Sequence, residues 1–173
     1  MNTIEFLRDQ LRRSRELLEG TMSDVDAARA HAAMPGACNP IDATYAHLVT
    51  GEDGFVNGLL RGAAPLFASN WAGRTGMSEP PPAGEDWGSW ALRVQIDLPA
   101  VRRYGVAVGS ATDAYIASLT PDDLDATIDL SAFGFGQQTR GWVLGAGVLG
   151  HVLSHWGEIC ALTGVLGGKG FPR

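Results

Sequence analysis

Cysteine is scarce in this chain. Cys38 and Cys160 lie far apart and form no C-x-x-C pair, which argues against a disulfide framework or a zinc ribbon and suits a reducing compartment. Positive charge is also short, with 13 Lys plus Arg against 19 Asp plus Glu and a formal net charge of -6. Counterion release on nucleic acid therefore has little to act through, and no nucleic-acid partner is expected. The N-terminal Met1-Asn2-Thr3-Ile4-Glu5 lacks the basic and apolar regions of a signal peptide, so a cytoplasmic protein is expected. Internal repeats and low-complexity tracts are missing as well. What remains is a chain of 173 residues, 45% of them hydrophobic, long enough to bury a core and short enough to form one domain over residues 1–173.

Charge is nearly absent from residues 141–168, where Glu158 is the one charged side chain. The run is long enough to span a bilayer. Two histidines and a glutamate near its centre would be costly in lipid, and the segment is crowded with glycine. A buried helix is the expectation, with no membrane partner.

Four amphipathic segments emerge from the hydrophobic spacing. In residues 3–19, Ile4, Leu7, Leu11 and Leu18 share a face, Asn2 or Thr3 is placed to cap, Gly20 is placed to end the helix, and Asp9 and Arg13 stand at ion-pair spacing. The turn-rich residues 35–40 break the chain, and Asn39 is placed to cap a second helix over residues 41–60 with Pro40 at its first position. Its seam is Ile41, Tyr45, Leu48, Phe55 and Leu59. Beside the seam lie His47 and the small residues Ala43, Thr44, Gly51, Gly54 and Gly58. Interior glycines each cost a helix about 1 kcal/mol relative to alanine, so either a close helix approach or room for a ligand is expected there.

Residues 61–88 carry prolines and glycines and read as a long crossover, in which Phe67 and Trp71 face either a ligand or a core edge. A short helical piece is expected near residues 87–94. Asp97 caps a third helix ending near Leu119, with Val101, Tyr104, Val108, Ala111 and Tyr115 on one face. Residues 126–130 read as extended within the next connection. A fourth helix spans residues 139–165, and four such segments predict an all-α four-helix bundle. Trp142, Ala146, Leu149, Leu153, Trp156 and Cys160 give the fourth helix a second apolar face, which predicts a homodimer.

The chemistry concentrates on that helix. His151 and His155 are four residues apart, so a helix stacks them on one face within reach of a single cation, and Glu158 falls on the same face. His47, at the middle of another helix, is the candidate third ligand. Three neutral imidazoles suit Zn²⁺, Ni²⁺ or Fe²⁺ and leave a coordination position open, as a catalytic site requires. A ferritin-like pair of metals needs Glu-x-x-His motifs, but positions 44, 148 and 152 are Thr44, Val148 and Val152. Val152 also stands where a zincin protease needs its glutamate. His31 reads as a surface residue and Cys160 as core. Ser154 has no nucleophile-elbow or triad setting.

His47 in Ala46-His47-Leu48, together with His151-x-x-x-His155-x-Gly157-Glu158-Ile159, resembles the DinB-like superfamily of metal-binding four-helix bundles. The glycine-rich C-terminal residues 161–172 and the Leu119-Thr120-Pro121-Asp122-Asp123-Leu124 segment are similar to that family too. The resemblance implies an up-up-down-down bundle with a long crossover between helices two and three, and a divalent metal on His47, His151 and His155. It further implies frequent dimers and metal-dependent transfer or isomerisation using a low-molecular-weight thiol such as mycothiol, bacillithiol or glutathione. Glu158 is then a candidate catalytic residue, orienting an imidazole or taking the thiol proton, or else a cap on a polar seam. A non-enzymatic metal or small-ligand binding module is the alternative.

Overall fold

The computed structural model describes residues 1–33, 38–82 and 87–171. It is mostly helical, as expected, but it includes one small antiparallel hairpin. Helix α1 (Thr3–Met22) begins at a reciprocal cap. Asn2 Oδ1 accepts the Glu5 N–H at 2.9 Å, and Glu5 Oε2 accepts the Asn2 N–H at 3.0 Å, which satisfies two donors. The helix continues through Gly20 rather than stopping there. On its outer face Arg12 bridges Asp9 and Glu16 at 2.5 and 2.6 Å, displacing the expected pairing of Asp9 with Arg13.

One turn, α2 (Ala27–Ala30), precedes α3 (Ile41–Asp53). Residues 35–37 of the expected break lie outside the described residues. Pro40 occupies the cap position of α3 without a side-chain bond, so Asn39 does not cap this helix. Beyond Asp53 the backbone widens into a π-helix, Gly54–Leu60. Helix α4 (Trp87–Arg93) follows the crossover, and α5 (Leu98–Ala117) starts where Asp97 Oδ1 accepts the Ala100 N–H at 3.1 Å. The extended residues form β1 (Thr127–Leu130), paired with β2 (Gly136–Thr139). The last helical run is divided into α6 (Arg140–Trp142), a π-helix Val143–Gly150, and α7 (His151–Val165). The two π stretches pack against each other. Both are rich in glycine, and a π turn takes an extra residue per ring, a feature often found beside functional sites.

Side-chain pairings fix the directions of the long helices. Arg8 meets Asp113 and Glu19 meets Arg102, so α1 and α5 run antiparallel. Arg15 meets Glu52 and Tyr45 meets Glu19, which sets α1 antiparallel to α3 as well. Thr21 meets both Trp156 and Cys160, while Ile4, Leu7 and Leu11 share a cluster with Leu144 and Val148, so α1 and α7 run the same way. The order is up, down, down, up, in place of the expected up, up, down, down. The long crossover after α3 returns the chain to start α5 parallel to α3.

Two apolar clusters fill the interior. One gathers Met22, Tyr45, Leu48, Trp90, Val101, Tyr104 and Ile159, and the other Leu7, Leu11, Val56, Ile116 and Leu144. A polar layer falls at the α3 and α5 positions between them. Glu52 receives Arg15 and, at 2.6 Å, the Thr112 hydroxyl. Asp53 is fully buried and accepts from Tyr104 Oη at 2.6 Å, Asn57 Nδ2 at 2.7 Å, and the Leu66 and Phe67 N–H groups at 2.9 and 3.0 Å. That carboxylate ties the start of the crossover to α3 and α5. Phe67 and Trp71 accordingly pack against the core edge. Among the described residues no helix is long and apolar enough to cross a membrane.

Candidate metal centre

Helices α3 and α7 cross in opposite directions with their polar faces together. His47 lies midway along α3, and His151 and His155 open α7 at the predicted four-residue spacing. One ligand atom from each of the three lies within 4.8 Å of the others, so the group could hold a metal ion. His47 Nε2 and His151 Nε2 are 3.1 Å apart. Two nitrogens on one tetrahedral Zn²⁺, each at ~2.0–2.1 Å, stand about 3.3 Å from one another, so this separation suits a shared ion. The three rings meet edge to face, with centroids 4.6 to 5.0 Å apart.

Glu158 belongs to the same assembly. Its Oε2 lies 2.7 Å from His155 Nδ1, as the three-residue spacing predicts. A carboxylate at Nδ1 holds the proton on that nitrogen and leaves Nε2 with its lone pair for a cation, the orientation that carboxylate–histidine–metal sites use. His155 is thereby fixed by a partner one turn along its own helix.

The other two imidazoles are kept neutral. Burial, reinforced by the neighbouring His155, pushes His47 down to about 4, while Glu158 opposes the shift. Burial, with His155 and His47 beside it, pushes His151 down to about 3. A neutral imidazole is the form that ligates. His47 Nδ1 is buried without a hydrogen-bond partner.

The open side of the cluster is a cavity of about 80 Å³ lined by Asn39, Ala43, Thr44, His47, Trp87, Trp90, Ala91 and His155. Trp87 stands edge to face over His47 with centroids 4.2 Å apart. Its neighbour Trp90 is buried and donates through Nε1 to the Pro80 carbonyl at 3.0 Å. Sequence spacing marks α4 as helical but gives no sign that it walls the histidines. That contact is tertiary, and the only available signal is the pair of tryptophans in a short amphipathic piece. Three larger open grooves among the described residues, of about 710, 710 and 660 Å³, include none of the three histidines.

His31, Cys160 and Ser154 stay outside the cluster. His31 is half-exposed, and its Nδ1 lies 2.5 Å from the buried carboxylate of Asp42, so it is more engaged than a plain surface residue. Cys160 is half-buried with Sγ 3.4 Å from Thr21 Oγ1, and Ser154 is exposed.

The chain is largely helical, and three histidines converge from two of its helices into a group that could hold one metal ion. The sequence matches the model of the DinB superfamily over residues 10–159, and the chain belongs to that superfamily. No curated protein matches it. Among solved structures, the crystal structure of the conserved protein of locus from Enterococcus faecalis is similar at 21% identity with a TM-score of 0.80. The match covers 96% of this chain and 99% of that one, and shows a shared fold.

Proposed function

We propose that this protein is a single-domain four-helix bundle that binds one divalent metal, Zn²⁺ or Ni²⁺ ahead of Fe²⁺, through His47, His151 and His155. It acts as a metal-dependent S-transferase or isomerase on a small molecule, with a low-molecular-weight thiol as cosubstrate. The observation that carries the metal assignment is the 3.1 Å approach of two neutral imidazole nitrogens beside a third histidine oriented by Glu158. The thiol chemistry rests on membership of the superfamily and on the residues quoted for it.

A divalent cation in such a site supplies Lewis acidity that favours the thiolate form of a thiol. The chain's own residues do the rest. Glu158 holds the proton at His155 Nδ1 and so keeps its ring turned inward. Trp87, Trp90 and Ala91 keep bulk water from the histidines and leave room for a short, unbranched head group.

The protein is proposed to be cytoplasmic and to pair with a second copy through the outward side of its last helical run. Trp156 and Cys160 turn toward Thr21, which leaves Ala146, Leu153, Gly157, Ala161 and Gly164 exposed without charge. Sedimentation analysis tests the dimer. For function, the purified protein is assayed for metal content and then for conjugation of a generic electrophile with mycothiol, bacillithiol and glutathione in turn. Thiol-dependent turnover that disappears in His155→Ala is expected. Bound metal without turnover from any thiol would favour the non-enzymatic binding module.

A further inference from the structure

Gly51 stands one helical turn after His47, so α3 presents an imidazole and then bare backbone on the same face. α7 answers with His151 and His155, again one turn apart. Because α3 and α7 run in opposite directions, the imidazole of His151 falls opposite Gly51 and bends from there toward His47. A Cβ placed on Gly51 would lie 3.1 Å from His151 Cε1 and 3.6 Å from its Nδ1. The 3.1 Å separation is closer than side chains ordinarily approach, and the Cε1 it would push is bonded to Nε2, the nitrogen facing His47. By contrast, a Cβ on Gly54, three residues further along, meets nothing within 4 Å. Helix propensity disfavours glycine at both positions, yet only at Gly51 does the neighbouring structure require it.

We infer that Gly51 is a positioning residue for the metal centre: its bare backbone is the surface that seats the His151 imidazole and aims Nε2 at His47. It touches no ligand and acts only through His151. The inference rests on the metal-site reading for its consequence, but its geometry is independent of any ion.

The test compares Gly51→Ala with Gly54→Ala in the wild-type and His151→Ala backgrounds. Zinc affinity is measured by competition with a chromophoric chelator, and the His151 Cε1–H resonance is followed by NMR in the metal-free protein. Gly51→Ala is expected to weaken zinc binding about tenfold, the usual scale for residues that orient a ligand, and to displace the His151 resonance. Gly54→Ala should leave both unchanged. In the His151→Ala background, Gly51→Ala should have no further effect on zinc. If Gly51→Ala folds only in that background, the clash lies with His151 and the inference stands; failure to fold in both backgrounds overturns it. Wild-type zinc affinity with an unmoved resonance in Gly51→Ala would also overturn it, as would an equal loss in Gly54→Ala. A wild-type protein that takes up no zinc overturns the metal-site reading instead, and the resonance then decides the role of Gly51.

Discussion

Replacing Glu158 tests whether the pair it forms with His155 serves the metal or only fills a polar seam. The carboxylate oxygen is 2.7 Å from Nδ1, and both side chains are partly exposed, at 35% for Glu158 and 25% for His155. Water can therefore replace a lost partner without a large folding penalty, and the fold should tolerate the change within about 1 kcal/mol. Metal affinity should respond more strongly, because groups that orient a ligating histidine are typically worth 10–100-fold. Glu158→Gln keeps an acceptor oxygen but loses the charge, so its loss belongs at the lower end, about tenfold or ~1.4 kcal/mol. Glu158→Ala removes the acceptor and frees the ring, and should approach 100-fold, or ~2.7 kcal/mol. Chelator competition at neutral pH gives the affinities, and urea unfolding of the metal-free proteins gives the stabilities. Unchanged affinity in both variants would refute the orienting role and leave Glu158 as a seam residue.

Two further outcomes follow from the buried polar groups. His47 and His151 have folded-state values pushed below the ordinary 6.5, so the unfolded chain takes up protons first as the medium is acidified. The stability they contribute is full above pH 6.5 and falls as pH drops toward about 4, by about 1.4 kcal/mol per pH unit for each ring. Urea unfolding of the metal-free protein from pH 7.5 to 5 should thus show a steeper loss in wild type than in His47→Leu, and equal slopes would contradict it. Asp53→Ala strands the Tyr104 hydroxyl and two backbone donors of the crossover. At about 1–3 kcal/mol per unsatisfied buried donor, it should destabilise the protein by roughly 3 kcal/mol or more in the same assay, and a loss below about 1 kcal/mol would show that the clamp is dispensable.

Much of the centre is legible before any coordinates because its spacing is local. His151, His155 and Glu158 stand on one helix, and the 3.6-residue period alone places them together. His47 is harder, since nothing local connects it to α7; its mid-helix position and the family resemblance supply it. The directions of the helices escape the sequence because hydrophobic period does not encode the order of packing. Glu52 and Asp53 are both buried, and their partners Arg15, Thr112 and Tyr104 come from distant parts of the chain that local spacing does not connect to them. The apolar period of α3 holds through Leu48 and then gives way to this polar layer. The π stretches are equally hidden, since widening of the hydrogen-bonded ring leaves the composition helical. For residues 136–139, Gly136-Gln137-Gln138-Thr139 carries little strand preference, and only pairing with β1 makes it extended. The glycines of α3 and of the π-helix after it present a defined pair of alternatives, and the structure answers them singly: Gly51 faces an imidazole, Gly58 faces Pro65, and Gly54 faces open space.

The metal centre is tested most directly by X-ray absorption on the zinc-loaded protein. The account predicts a first shell dominated by three imidazole nitrogens at ~2.0–2.1 Å with at least one further light ligand, reduced by one imidazole in each of His47→Ala, His151→Ala and His155→Ala. A shell without imidazole scattering, or one unchanged by all three substitutions, would contradict it.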